Sequence, residues 1–91
     1  MNRRPEEAKL AIQAKVIELA KNLGKRDPRI GFAESIPDSS LLDSAGLMEL
    51  MVWYEVQFGL SIPQEDLTLD NFATIDRMTG YAERARERAR G

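Results

Sequence analysis

Ninety-one residues make one small domain, in which folding buries about 60–65% of the surface that the unfolded chain exposes, so a deep, enclosed active site is not expected. Apolar residues make up 43% and charged residues 31%, a balance typical of globular rather than disordered chains. There is no Cys and no His. That excludes disulfides, thiolate and imidazole metal sites, thiol nucleophiles and the Ser-His-Asp triad, and it argues against an enzyme.

The net charge of −2 conceals a segregation. Residues 1–29 hold eight basic and four acidic side chains, and residues 77–91 hold five basic and two acidic. Between them, residues 30–76 carry no Lys or Arg against nine carboxylates: Glu34, Asp38, Asp43, Glu49, Glu55, Glu65, Asp66, Asp70 and Asp76. Such a block repels nucleic acid and attracts basic protein surfaces. The alternative is that the acids only keep a small domain soluble.

Taken in chain order, Pro5-Glu6-Glu7 opens a helix, because proline suits the first turn and carboxylates suit the N-terminal dipole. Ile12, Val16, Leu19 and Leu23 recur on one helical face, and Gly24 with Asp27-Pro28 ends the segment. Residues 24–43 show no sustained period, with Phe32, Ile36, Leu41 and Leu42 as apolar anchors. A second helix runs from Asp43-Ser44, either of which can cap it, to Phe58-Gly59. Leu47, Leu50, Met51, Tyr54 and Phe58 fall in one sector of that helix and are expected to face the core. The opposite side carries Ala45, Glu49, Val52 and Val56, with Met48 and Trp53 at its edges. That side is too apolar to meet water alone, so it is either covered by the long loop or offered to a partner.

Leu60-Ser61-Ile62-Pro63 reads as a short extended stretch, and a short helix is expected around Asp70 to Ala73. Thr74 caps a last helix with Ile75, Met78, Ala82 and Ala85 inward and Gly80 weakening it. No strand-period segment of any length occurs. The expected fold is all-α, a small four-helix bundle of three long helices and one short one with a long first loop. A single domain over 1–91 is expected, ordered from about 5 to 85, with a basic tail over 83–91. That tail reads as a solvated helix end. No apolar run approaches the roughly 20 residues of a membrane span, and no signal-peptide pattern follows Arg3-Arg4. A cytoplasmic location is therefore expected.

Leu42-Asp43-Ser44-Ala45-Gly46-Leu47-Met48-Glu49-Leu50, followed by Phe58-Gly59 and Leu60-Ser61-Ile62-Pro63, resembles the phosphopantetheine-attachment region of acyl carrier proteins. The Asp-Ser pair, the acid five residues later, the Phe-Gly and the Ile-Pro fall at that family's positions without insertion. Asn71-Phe72-Ala73-Thr74-Ile75 continues the match, and the family also has a long first loop. The chain departs from the pattern at Ala45, where the family usually has Leu, and at Gly46, where a polar residue is frequent. Both shrink side chains beside the attachment point, as an unusual cargo or partner would require.

The resemblance implies a non-catalytic carrier modified on Ser44 with 4′-phosphopantetheine from coenzyme A, with Asp43 in support. It would carry an acyl thioester between enzymes of lipid or fatty-acid-type biosynthesis. An aminoacyl or peptidyl carrier would use the same Ser44, and an acidic helical adaptor without a prosthetic group is the rival from another class. A chain without cysteine needs a thiol from elsewhere to hold a thioester, and a serine without a base needs a separate transferase. The expected partners are that phosphopantetheinyl transferase and the loading and transferring enzymes, docking through basic surfaces on Met48, Glu49, Val52 and Val56. Neither nucleic acid nor membrane insertion is expected, and the chain is expected to be a monomer.

Overall fold

The computed structural model describes residues 4–90, with side chains to residue 89. Four α-helices follow one another: α1 (Pro5–Asn22), α2 (Ser44–Phe58), α3 (Leu69–Phe72) and α4 (Ile75–Arg90). Two single 3₁₀ turns, Pro37–Ser39 and Gln64–Asp66, punctuate the connections, and there is no strand among the described residues. The protein is the all-helical bundle of three long helices and one short one that the periodicities predict.

Pro5 occupies the start of α1 with Glu6 and Glu7 in its first turn, where neither costs a backbone hydrogen bond and both face the positive end of the dipole. Ala8, Ile12, Val16, Leu19 and Ala20 form its buried face. Leu23 departs from expectation and is 44% exposed. It lies one residue past the end of α1, where the helical direction is lost, and Ala20 fills the inner position instead. At the far end of α2, Gly59 takes a left-handed φ of 62°, which lets Leu60 N–H return to the Glu55 carbonyl at 2.9 Å. A side chain there would strain the same turn.

The core brings Ile12 and Val16 of α1 together with Leu50 and Tyr54 of α2 and Ile75, Met78 and Tyr81 of α4. Leu47, Met51 and Phe58 reach it from the edge and remain half-buried. Tyr54 is fully buried, and its hydroxyl donates to the Met78 carbonyl at 2.7 Å. Burial pushes the Tyr54 phenol well above its ordinary range. On α4, Ile75 and Met78 are buried and Ala82 and Ala85 pack at the margin, as the pattern predicts. Thr79 and Tyr81 are also buried although polar. Each brings a partner: Thr79 Oγ1 donates to the Ile75 carbonyl at 2.9 Å, and Tyr81 OH donates to Asp66 Oδ2 at 2.7 Å.

The aperiodic first loop is packed rather than free. Ile30, Ile36 and Leu42 are buried, with Phe32 and Leu41 against them. Ile36 N–H donates to the Ala73 carbonyl at 2.7 Å, Asp76 N–H to the Phe32 carbonyl at 3.0 Å, and Gln13 Nε2 to the Ile30 carbonyl at 2.7 Å. The loop is thereby tied to α1 and to the α3–α4 junction. It leaves the outer face of α2 open, so the expected alternative that the loop covers that face does not hold.

Candidate functional site

Leu42, 6% exposed, anchors the end of the loop in the core and delivers Asp43 to the start of α2. Asp43 is extended (φ −87°, ψ −176°) and is the N-cap; its Oδ1 accepts from Gly46 N–H at 2.7 Å, and its carbonyl accepts from Leu47 N–H at 2.9 Å. Of the two residues able to cap, Asp43 does so, and Ser44 becomes the first helical residue. Its side chain is exposed and makes no hydrogen bond among the described residues.

Gly46 belongs to the cap. It is buried, and a Cβ there would stand 3.2 Å from Asp43 Oδ1 and 3.2 Å from Leu42 Cβ. Its missing side chain lets the carboxylate and Leu42 close over the first turn, so the space expected there for cargo is already occupied. Ala45 is different: it is exposed and faces a groove shared with α1.

The surroundings of Ser44 suit a phosphodiester. The first-turn N–H groups of Ser44 and Ala45 have no intrahelical acceptor by position, and the α2 dipole is positive there. A hydroxyl that is exposed and unbonded can enter a transferase site without first breaking a native contact. With no histidine in the chain, that transferase must bring the base. When bound, a phosphopantetheine group supplies the thiol that the cysteine-free chain lacks.

Met48, Val52 and Val56 are 69%, 59% and 73% exposed and follow one another at four-residue intervals down α2 from Ser44. Glu49 lies beside them, exposed and without an ion pair or hydrogen bond among the described residues. The structure thus brings the four expected contact residues onto one surface. Much of the remaining acidic block serves the fold. Glu55 accepts from Ile62 N–H at 2.9 Å, Asp70 pairs with Arg77 at 3.3 Å and Asp76 with Lys9 at 3.1 Å, while Asp66 holds Tyr81. Lys15 of α1 joins Ala45, Met48, Glu49, Val52 and Trp53 around an open groove of about 580 Å³. Spacing within α2 could not reveal it, because the residue comes from another helix.

No helix among the described residues is long and apolar enough to cross a membrane. No family model and no solved structure matches the chain significantly. Curated relatives do. The chain is 31% identical over 67 residues to the D-alanyl carrier protein of Streptococcus sanguinis (strain SK36), spanning 74% of this chain and 85% of that protein. It is 30% identical over 74 residues to the D-alanyl carrier proteins of Streptococcus pyogenes serotype M5 (strain Manfredo) and serotype M1, spanning 81% of this chain and 94% of theirs. The chain therefore belongs to the acyl carrier protein family: it is a carrier rather than an enzyme, and its cofactor is a covalent 4′-phosphopantetheine.

Proposed function

We propose that this chain carries a small aminoacyl group of the D-alanyl kind, as a thioester on a 4′-phosphopantetheine arm attached to Ser44. The observation that carries the reading is the likeness to D-alanyl carrier proteins over 81% of the chain, joined to an exposed serine one residue after the Asp43 cap. Asp43 supports the site by holding the first turn. The lipid or fatty-acid pathway that the general resemblance implies draws no support from these relatives, and the aminoacyl alternative is preferred.

The interior supports the choice of a small cargo. Tyr54 fills the space between α2 and α4, its ring 5.7 Å from Phe72, which lies 4.8 Å from Tyr81. An alanyl group needs no apolar shelter, whereas a long acyl chain does. One observation favours a second reading. An open groove of about 340 Å³ runs between α2 and the linker to α3, walled by Leu47, Met51, Ile62 and Leu67. It would suit a short acyl chain on the same arm.

The whole of 1–91 forms one domain, a cytoplasmic monomer, docked through Met48, Glu49, Val52 and Val56 by the transferase and by the loading and accepting enzymes. Incubation with coenzyme A and a broad-specificity phosphopantetheinyl transferase should raise the intact mass by one phosphopantetheinyl group. Ser44→Ala should remove the rise while leaving the helical circular dichroism unchanged. The modified protein should then accept D-alanine from an amino-acid-activating ligase in preference to a long-chain acyl group from an acyl-activating one. Preferential long-chain loading would restore the lipid reading, and no mass change with any transferase would favour the adaptor.

A further inference from the structure

We propose that the loaded arm folds back into the open groove between α1 and α2, with its phosphate end beside Ala45 and its aminoacyl end toward Glu49 and Trp53. This rests on the reading of Ser44 as the attachment site and adds where the cargo lies between deliveries. The groove is lined by Lys15, Ala45, Met48, Glu49, Val52 and Trp53. It begins at the residue next to Ser44, where the methyl of Ala45 leaves open what a larger side chain would fill. From Ser44 to Trp53 the helix advances nine residues, about 14 Å at 1.5 Å per residue, a distance within reach of an extended phosphopantetheine. The occupant is tethered, so even weak contacts are favoured by a high effective concentration.

The chemistry of the walls selects this groove over its neighbour. A loaded arm has an anionic phosphate, two amides and an apolar segment, and a D-alanyl group adds an ammonium. Lys15, Glu49 and the apolar surface of Met48, Val52 and Trp53 offer a counterpart to each kind of group. Lys15 is bound to Glu18 at 3.0 Å, but an ammonium keeps further donors. The adjoining groove shares Met48 and Val52 and is otherwise walled by Leu47, Met51, Ile62 and Leu67; it has no cation to meet the phosphate, and one oxygen of its single carboxylate, Glu55, accepts from Ile62 N–H. An ammonium there would be desolvated beside apolar walls. Cargo polarity therefore decides which of the two adjoining grooves the arm occupies, and a charged aminoacyl group goes to the one that α1 borders with Lys15.

Trp53 reports the outcome, because it is the only tryptophan in the chain and stands half-buried in that groove. Its emission and its quenching by acrylamide are compared in unmodified, phosphopantetheinylated and D-alanylated protein, each sample verified by intact mass. The expected result is a shift to shorter wavelength and reduced quenching, largest in the D-alanylated form. Ala45→Leu, referred to its own unmodified baseline, should lose the shift, and Glu49→Gln should lose the extra contribution of the D-alanyl group. A full mass increase with unaltered Trp53 emission and quenching would overturn the groove while leaving Ser44 as the attachment site. A shift that persists undiminished in Ala45→Leu would overturn it too, and absence of any mass increase would overturn both readings.

Discussion

The two sides of α2 are similarly apolar in sequence and have opposite fates in the structure. Leu50 and Tyr54 turn inward and are almost fully buried, while Met48, Val52 and Val56 turn outward and stay mostly exposed. The first set is held in place by the fold. The second is not used by the fold at all, since neither the long loop nor α4 covers it. A small domain gains nothing in stability from three exposed apolar side chains in a row, and this is what supports the proposal that they serve a partner. The same division runs through the carboxylates: Asp43, Glu55 and Asp66 hold turns and side chains together, whereas Glu49 is exposed and makes no hydrogen bond or ion pair among the described residues.

The largest expected effect lies on the inner side. Tyr54→Ala removes a fully buried ring and its hydrogen bond to the Met78 carbonyl, and it should cost about 3–5 kcal/mol in thermal or denaturant unfolding. A cost near zero would mean that the inner face is not the core. Tyr81→Phe, which keeps the ring and removes the donation to Asp66, should cost about 1 kcal/mol. Burial, and to a lesser degree the bond to Asp66, raise the Tyr81 phenol above its ordinary range, so its contribution is complete below the unfolded value of about 10 and is lost as the pH climbs through the raised folded value. The loss of stability above about pH 10 should therefore be shallower in Tyr81→Phe than in the parent protein. An identical alkaline slope would show that this phenol is not held un-ionised by the fold.

On the outer side the effects on stability should be smallest. Val52→Asp should change unfolding by no more than about 0.5 kcal/mol, yet slow phosphopantetheinylation at every salt concentration. Glu49→Arg should slow it mainly at low ionic strength, because an exposed charge acts on encounter and is screened by salt. Unfolding by Val52→Asp would erase the distinction between the two faces. Rates indifferent to Glu49→Arg and to salt would reduce Glu49 to a solubility feature.

How much of this was legible beforehand follows from what each residue depends on. Helix order and limits were legible because Pro5, Asp43, Gly59 and Thr74 act locally, through caps and turns; Arg77 N–H does bond to Thr74 Oγ1 at 3.0 Å. The inner face of α2 followed from helical period alone. The packed first loop did not, since its order comes from bonds to Ala73, Asp76 and Gln13, far away in sequence. Tyr81 escaped prediction because its partner, Asp66, comes from outside α4, whereas Thr79 satisfies its hydroxyl locally on the Ile75 carbonyl and only its burial depends on the tertiary fold. Gly46 looked like freed space and is instead occupied by the cap beside it. Ser44 itself was legible from its motif, while Lys15 beside the groove was not.

The most direct test is to locate the added mass within the chain after incubation with coenzyme A and the transferase. Residues 30–76 contain no Lys or Arg, so trypsin leaves residues 30–77 as one peptide, with Ser35, Ser39, Ser40, Ser44 and Ser61 all inside it. Fragmentation of that peptide must therefore choose among five serines. Ser39 is already engaged, donating to the Ile36 carbonyl at 2.6 Å and accepting from Leu41 N–H, whereas Ser44 is exposed at the start of α2. The expected result places the entire phosphopantetheinyl mass on Ser44; its appearance on Ser39, Ser40 or any other serine would contradict the site.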